Sequence, residues 1–214
     1  MDGTQPELMR HLHWIGHDTF RLDSPLVVYI DPWHLPASSP PADLILVSHE
    51  HHDHCSPESV AQIRKADTVI LANAGAAQSL GPDAEVMRPG EKRVVGPITV
   101  ETVPAYNVDK PFHPQGANHL GFVLQIGNER LYFAGDTDVI PEMKSIRCDV
   151  ALLPVSGKYV MTADEAVEAA TILRPKVAVP MQYGAGVAGT VADADRFSEQ
   201  SPVPVVVMEA EGPV

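Results

Sequence analysis

Histidine is concentrated in one short stretch of the chain. The sequence Ser-His-Glu-His-His-Asp-His-Cys-Ser holds four of the ten histidines, at His49, His51, His52 and His54. It directly follows the apolar run Leu44 to Val47, which predicts a buried strand. Histidines two residues apart at the end of a strand can direct both rings at one cation, so His49 and His51 are predicted to bind a metal ion. Asp53 and His54 are displaced far enough to bind a second cation beside the first.

The types of donor atom limit the choice of metal but do not decide it. Imidazole and carboxylate groups without a thiolate suit zinc, iron or manganese. His52 is the remaining member of the stretch and is predicted to point away from the metal. The only cysteines, Cys55 and Cys148, are far apart and lack C-x-x-C spacing, so neither a disulfide framework nor an all-cysteine zinc site is expected. This cysteine usage favours a reducing cytoplasm.

Short runs rich in Val, Ile and Leu recur along the chain and predict strands. These runs are Leu26 to Ile30, Leu44 to Val47, Thr68 to Leu71, Ile98 to Val103, Gly121 to Ile126, Arg130 to Phe133, Val150 to Leu153, Val177 to Val179 and Val203 to Met208. They do not alternate strictly with helices, which favours mixed sheets with helices outside over a simple parallel fold. The chain has neither G-x-G-x-x-G nor G-x-x-x-x-G-K-[ST], so the usual nucleotide-binding folds are excluded.

Capping residues mark three helices. Ser56 followed by a proline predicts the start of a helix over Pro57 to Lys65. Thr162 and Glu165 have capping-box spacing ahead of strong helix formers, and Pro175 stops the second helix. A third helix is predicted from Ala192 to Glu199.

The size and charge of the chain limit the classes of protein to which it can belong. With 214 residues and 44% hydrophobic content, the chain can fill one substantial core, so residues 1–214 are expected to form a single domain. The 15 basic and 28 acidic residues give a net charge of -13, which argues against nucleic acid or an anionic membrane as the main partner. The N-terminus lacks the apolar core of a secretory signal, and the apolar runs are far shorter than the roughly 20 residues of a membrane span.

The motif H-x-H-x-D-H, formed by His49, His51, Asp53 and His54, resembles the signature of the metallo-β-lactamase superfamily. Four further segments are similar to successive motifs of the branch that includes the ascorbate-6-phosphate lactonase-like hydrolases: Trp14 to His17, Ile30 to Trp33, Gly135 to Asp138 and Pro180 to Gly184. The resemblance covers nearly the whole chain. It implies a fold of the α/β (α+β) class. The expected architecture is a four-layer αββα sandwich of two mixed sheets with outer helices.

The resemblance also assigns roles to individual residues. It implies that Asp136 bridges two metal ions. It implies a further ligand of the first metal from the segment between the motifs, where His113 is a better match than His119. Asp31 and His17 are expected beside the centre, where a carboxylate can orient ligand imidazoles and raise their basicity.

One departure from the family pattern concerns the second metal. The last motif normally ends in a histidine, but this chain has Gln182 there, and it has no histidine after His119. An amide oxygen is a much weaker donor toward zinc than imidazole is, so a second ion held by Asp53, His54 and Asp136 should bind loosely. One or two divalent ions are therefore expected, zinc first, with manganese or iron as alternatives. A second hypothesis is that His119 becomes the substitute ligand.

Together these residues predict a metal-dependent hydrolase in which Asp53 orients the attacking water. The bond could be an ester, a lactone or a phosphodiester of a small metabolite. Two alternatives are a metal-binding protein of the same fold without hydrolytic activity, and a redox enzyme with a single iron. No other cofactor site is predicted, the partner is expected to be a small molecule, and a homo-oligomer is left open.

Overall fold

The first of two sheets is built from the N-terminal strands. The computed structural model describes residues 5–212. The six strands lie side by side in chain order: β1 Leu12–Gly16, β2 Thr19–Leu22, β3 Val28–Ile30, β4 Leu44–Val47, β5 Val69–Ala72 and β6 Ala84–Val86. β1 to β3 pair antiparallel, whereas β3 to β6 pair parallel, so this sheet is mixed.

The second sheet also consists of six strands that lie side by side in chain order. Its strands are β7 Lys92–Val95, β8 Ile98–Pro104, β9 Leu120–Ile126, β10 Glu129–Phe133, β11 Val150–Pro154 and β12 Val177–Met181. β7 to β10 pair antiparallel, and β10 to β12 pair parallel. Parallel neighbours end at the same edge of a sheet, which places the loops after β10 and β12 together.

Helices cover each sheet on its outer face. They are α1 Pro57–Ile63, α2 Ala74–Leu80, α3 Ala163–Leu173 and α4 Val191–Gln200. α2 contacts α1, β5 and β6, whereas α3 contacts α4 and β11, and α4 contacts β12. Short 3₁₀ turns occur at Glu7–Arg10, Gln115–Ala117 and Pro141–Ser145. This arrangement confirms the predicted sandwich of two mixed sheets with outer helices.

β4 shows how the sequence fills both sides of a sheet. Leu44 and Leu46 belong to the core between the two sheets, while Ile45 and Val47 belong to the core beneath α1 and α2. All four side chains are fully buried, because successive residues of a strand point to opposite faces. Each such side chain stabilises the fold by about 1.5–3 kcal/mol. The strand that leads into the histidine-rich stretch is therefore held firmly from both sides.

The predicted helix starts are confirmed. The Ser56 hydroxyl accepts a hydrogen bond from the Ser59 amide at 3.1 Å, which caps α1 directly after the histidine-rich stretch. Thr162 and Glu165 form the predicted capping box of α3. α3 ends before Arg174, which adopts a left-handed conformation with φ of 50°.

The predicted strand Val203 to Met208 is wrong. This segment is extended but makes only an isolated bridge, in which Ala178 of β12 donates to the Pro204 carbonyl and accepts from the Val206 amide, both at 2.9 Å. Pro204 has no N–H to donate, so a regular ladder cannot continue there. The apolar residues pack against the core without forming a strand.

The same segment goes on to the other sheet. Its Glu211 and Gly212 amides donate to the carbonyls of Trp14 and Ile15 in β1, at 2.9 and 2.8 Å. The segment from Pro204 to Gly212, here called the C-terminal crossing, therefore covers the edge of each sheet at which β12 and β1 lie.

None of the helices formed by residues 5–212 has the length and apolar content that crossing a bilayer would require.

Candidate metal centre

The candidate metal ligands gather at one end of the sandwich. His49 follows β4, Asp136 follows β10 and Gln182 follows β12, while the loop between β8 and β9 carries His113 and the tight β1–β2 turn carries His17. Crevices beyond the carboxyl ends of parallel strands are where ligands bind in open α/β sheets. Both sheets contribute residues to this end.

Three histidines and one aspartate form a compact donor group. His51 Nδ1 lies 3.0 Å from His49 Nε2 and 3.2 Å from His113 Nε2, and His113 Nε2 lies 3.1 Å from Asp136 Oδ2. One donor atom of each residue lies within 4.8 Å of all the others. Two ligands on a tetrahedral zinc ion are roughly 3.3 Å apart, given bond lengths near 2.0–2.2 Å. The spacing therefore fits a single cation among these four side chains.

Hydrogen bonds fix which nitrogen of two histidines carries the proton. The Ser48 hydroxyl donates to Asp31 Oδ2 at 2.6 Å, so its oxygen must accept from His49 Nδ1, which lies 2.9 Å away. His54 Nδ1 faces Asp31 Oδ2 at 2.7 Å and Asp18 Oδ2 at 2.8 Å, and both of these are acceptors. In each ring Nδ1 is the donor, so Nε2 is the nitrogen left to bind a cation.

A third histidine is fixed in the same way by Asn107. The amide NH₂ of Asn107 donates to Asp138 Oδ1 at 3.2 Å and to the Tyr159 carbonyl at 2.9 Å, so its oxygen is the acceptor. That oxygen receives His113 Nδ1 at 3.1 Å and the His113 backbone amide at 2.9 Å. The Nε2 lone pair of His113 is therefore directed at His51 and Asp136.

A second donor group lies beside the first. It consists of His17, Asp53 and His54, which each offer one atom within 4.8 Å of the others. His54 Nε2 lies 3.1 Å from Asp136 Oδ1, and among residues 5–212 this buried atom has no hydrogen-bond partner of good geometry. A buried nitrogen left without a partner costs about 1–3 kcal/mol, which a bound cation would offset. Asp136 thus has one carboxylate oxygen beside each group.

The electrostatics of the site also favour a cation. Although burial opposes it, the nearby His54 and the hydrogen bond from His113 hold the pKa of Asp136 well below its ordinary value. Burial likewise opposes ionisation of Asp53, but its hydrogen bond with His17 lowers its pKa to about 2. Burial lowers the pKa of His49 well below its ordinary value, so that ring is neutral. Ionised carboxylates and a neutral imidazole are the forms that bind a metal.

The structure thus brings together all the residues predicted as ligands, in two adjoining groups. The first contains His49, His51, His113 and Asp136; the second contains Asp53 and His54. The side chain of His52 is 82% exposed, as expected for a residue that points away. That the residues of the two donor groups bind metal stays a prediction.

His119 and Gln182 are placed differently from the ligands. His119 stacks on His49 with ring centroids 4.5 Å apart and has its Nε2 3.8 Å from Glu50, and it belongs to neither donor group of the described residues. Burial lowers its pKa to about 4. The side-chain amide of Gln182 donates to Asp136 Oδ1, so an N–H group rather than an oxygen faces the metal side of that carboxylate.

Three residues of the site escape sequence reasoning: Ser48, Asp18 and Asn107. Ser48 and Asp18 are fully buried and act on His49 and His54. Their only signal is adjacency, because each stands next to a histidine of a recognised motif. Asn107 carries no such signal, since its partner Asp138 is 31 residues away in the chain.

A cleft opens beside the first donor group. It has a volume of about 430 Å³, and its walls are formed by His51, His52, Asp53, Pro111, Phe112, His113, Asp136, Tyr159 and Val187. The Phe112 and Tyr159 rings meet edge to face with centroids 4.7 Å apart. The donors therefore lie along one wall of a space of small-molecule size, and aromatic and aliphatic groups form the rest.

Comparison with known proteins places this geometry in a family. The model of the Beta-lactamase superfamily domain matches residues 11–182. The UPF0173 metal-dependent hydrolase of Methanoregula boonei is 36% identical over 184 residues, which cover 81% of this chain and 82% of that protein. The chain therefore belongs to the β-lactamase superfamily, among the UPF0173 metal-dependent hydrolases.

Solved structures agree. A protein from Parabacteroides distasonis, classed as a metal-dependent hydrolase, superposes with a TM-score of 0.83 at 32% identity, over 94% of this chain and 93% of that one. A metallo hydrolase from Ignicoccus hospitalis has a TM-score of 0.76 at 24% identity, over 94% and 95% of the two chains, and shows the shared fold. The narrower resemblance to ascorbate-6-phosphate lactonase-like hydrolases stays a prediction.

Proposed function

We propose that this protein is a hydrolase that uses water activated at a divalent cation to cleave an ester, lactone or phosphodiester bond of a small metabolite. The observation that carries the proposal is the set of fixed tautomers. The proton of His49, His54 and His113 is held on Nδ1 by a hydrogen-bonding neighbour, which leaves Nε2 as the metal-binding atom beside Asp136. Surface histidines have no reason to be held in this way.

The donor types suggest which cation binds. His49, His51, His113 and Asp136 would hold the first ion, and zinc is the first choice for three imidazoles and a carboxylate. Manganese and iron remain alternatives for the same donors. When bound, a divalent cation lowers the pKa of its water and polarises a carbonyl or phosphoryl oxygen of the substrate.

Asp53 is the residue best placed to orient the attacking water. Its side chain is ionised, 14% exposed and part of the cleft wall. A carboxylate in that position accepts a hydrogen bond from water and fixes the direction of its lone pair. In the cation-free protein, His17 Nε2 lies 3.2 Å from Asp53 Oδ2 and restrains the carboxylate.

The cleft indicates the kind of substrate. A volume of about 430 Å³ suits a small metabolite, and Pro111, Phe112 and Val187 form an apolar part of the cleft wall. Lys158 lies 4.7 Å from the centroid of the Tyr159 ring and brings positive charge near this wall. We therefore expect a substrate with one apolar part, and with the scissile bond placed at the donor end.

The experiment compares metal content and turnover in matched variants. The purified protein would be analysed for metal identity and stoichiometry, then assayed on panels of generic esters, lactones and phosphodiesters. His49→Ala removes a donor, and His11→Ala removes a half-buried histidine that is outside both donor groups. We expect turnover that a chelator abolishes, that His49→Ala lacks and that His11→Ala retains.

Other outcomes would contradict the proposal. Turnover that survives both the chelator and His49→Ala would place the reaction elsewhere. Tight metal binding with no turnover on any panel would favour a non-hydrolytic metal-binding protein, and bound iron with oxygen consumption would favour a redox enzyme.

A further inference from the structure

The second donor group lacks the imidazole that Gln182 would supply if it were a histidine. Gln182 follows β12 with a left-handed backbone, φ 61°, and its amide N–H donates to Asp136 Oδ1. An N–H group is a hydrogen-bond donor and cannot bind a cation. In this orientation it also occupies a lone pair of the Asp136 carboxylate. A stronger additional ligand for a second cation would have to come from another residue.

His17 lies directly beside Gln182. The Gln182 backbone amide donates to the His17 carbonyl at 2.8 Å, so the two residues are direct neighbours across the two sheets. His17 is 3% exposed, and its Nε2 lies 3.2 Å from Asp53 Oδ2. It is the imidazole that joins Asp53 and His54 in the second donor group.

We propose that His17 is a ligand of a second cation, in the coordination position that Gln182 leaves empty. The full set would be His17 Nε2, Asp53, His54 Nε2 and Asp136. The inference rests on the proposed metal centre, but it concerns binding and does not depend on any turnover.

The distances around His17 are compatible with this role. The 3.2 Å between His17 Nε2 and Asp53 Oδ2 and the 3.1 Å between His54 Nε2 and Asp136 Oδ1 both match the roughly 3.3 Å between two ligands of one tetrahedral zinc ion. His17 Nδ1 has no hydrogen-bond partner among residues 5–212. No neighbour among them therefore holds the proton of His17 on Nδ1, in contrast to His49, His54 and His113, and the ligand role requires the proton to move from Nε2 to Nδ1.

His119 is the rival replacement, and the structure places it less well. Its Nε2 faces Glu50 at 3.8 Å on the other side of His49, within neither donor group of the described residues. The other rival is a positioning role, in which His17 only donates a hydrogen bond to Asp53. The 3.2 Å between His17 Nε2 and Asp53 Oδ2 fits this role as well as the ligand role. Both rivals give different results in the experiment below.

The experiment measures zinc binding by titration calorimetry and by metal content after gel filtration. We expect two ions in the unmodified protein and a second equivalent weakened about tenfold or more in His17→Ala, with the first equivalent unchanged. His119→Ala is the matched control, because it also removes a buried histidine. A single ion in the unmodified protein, or loss of the second ion in His119→Ala alone, would overturn the proposal.

Gln182→His separates a ligand from a positioning residue. If His17 already fills the position, Gln182→His adds little to second-ion affinity in the unmodified chain but restores it in the His17→Ala background. If His17 only positions Asp53, the added histidine gives the same gain in both backgrounds, and such additivity would overturn the proposal.

A spectroscopic measurement covers the case in which His17→Ala fails to fold. Cobalt(II) is paramagnetic and shifts the ring resonances of the histidines bound to it. In the cobalt-loaded unmodified protein with labelled histidine, we expect strongly shifted signals from five rings: His17, His49, His51, His54 and His113. Four rings at full loading, with His17 unshifted, would refute the ligand role even in a protein that hydrolyses its substrate.

Discussion

At the scale of single residues, the site depends on neighbours that are not themselves ligands. Ser48 and Asp31 hold the proton of His49 and His54 on Nδ1, and Asn107 does the same for His113. Burial raises the pKa of Asp31 to about 6, although its hydrogen bond with His54 opposes the shift. These contacts set the orientation of each ring before any cation arrives, so that Nε2 faces the donor atoms around it.

Asn107→Ala should weaken metal binding while leaving the fold intact. The variant removes the acceptor of His113 Nδ1, so this ring becomes free to change tautomer and to rotate. Loss of such a partner typically costs 10–100-fold in metal affinity. Zinc affinity would be measured by competition with a chromophoric chelator. Asn128→Ala, at an exposed turn, is the control and should bind zinc normally; equal affinities in the two variants would show that His113 needs no partner.

Cation binding at His54 should strengthen as the pH rises. Burial opposes the protonated form, but Asp136 and Asp18 raise the pKa of His54 well above its ordinary value in the cation-free protein. A group with a raised pKa keeps its proton at neutral pH and loses it only as the pH rises through that pKa. A cation must displace this proton, so affinity should fall about tenfold for each pH unit below it. Calorimetry in buffers of different ionisation enthalpy would detect the released proton, and its absence at pH 7 would contradict the assignment.

Four of the six predicted ligand positions could be read from local spacing because they stand close together in the chain, whereas His113 and Asp136 followed only from the family resemblance. His49, His51, Asp53 and His54 fall within six residues, and a strand directly before them gives their direction. Contacts made across the fold have no such pattern. Asp18 contacts His54 because strands of the first sheet pair, and Asn107 contacts Asp138 because strands of the second sheet pair. No local spacing encodes either pairing.

At the scale of elements, the three predicted helices and most of the predicted strands were found, whereas β1, β2, β6, β7 and α2 were not predicted. α1 and α3 carry cap residues that act within one turn, so their starts could be read from the sequence. β6 and β7 have largely exposed side chains, such as Glu85 and Lys92, and depend on their neighbours rather than on apolar content. The segment Val203 to Met208 was predicted as a strand but is not one. Its apolar residues pack against the core without a complete ladder of backbone hydrogen bonds.

Ser56→Ala should destabilise the protein by about 1 kcal/mol. The change removes the cap that receives the Ser59 amide, and it leaves that donor unpaired at the start of α1. Urea unfolding followed by circular dichroism would measure the difference in the free energy of unfolding. Ser56→Asp keeps an acceptor at the same position and should be close to the unmodified protein. If both variants lose the same stability, the cap is not the cause.

At the scale of the whole molecule, the donor groups join the two sheets. His49 and His51 come from the first sheet, whereas His113 and Asp136 come from loops of the second. A cation bound among them would hold the sheets together at one end of the sandwich. Ligands that bind only the folded state stabilise it in proportion to their affinity.

Chelation should therefore lower the melting temperature. Free zinc at 100 times its dissociation constant stabilises the folded state by about 2.7 kcal/mol, and a chelator removes this contribution. Differential scanning calorimetry with and without chelator would show the shift. In His49→Ala, which keeps the second donor group, the shift should be clearly smaller than in the unmodified protein. A large shift that persists in this variant would mean that zinc stabilises the fold through other residues.

The C-terminal crossing also changes how one molecule meets another. Unpaired sheet edges invite strand addition from a neighbour and, in the extreme, fibril growth. Pro204 and Val206 cap the backbone of β12, and Glu211 and Gly212 cap that of β1. The far edges carry charge instead, with Arg93 of β7 bonded to Glu85 of β6 at 2.9 and 3.0 Å. Self-association by β-augmentation is thus disfavoured at both ends, which leaves the outer helical layers as the surfaces on which a symmetric assembly could be built.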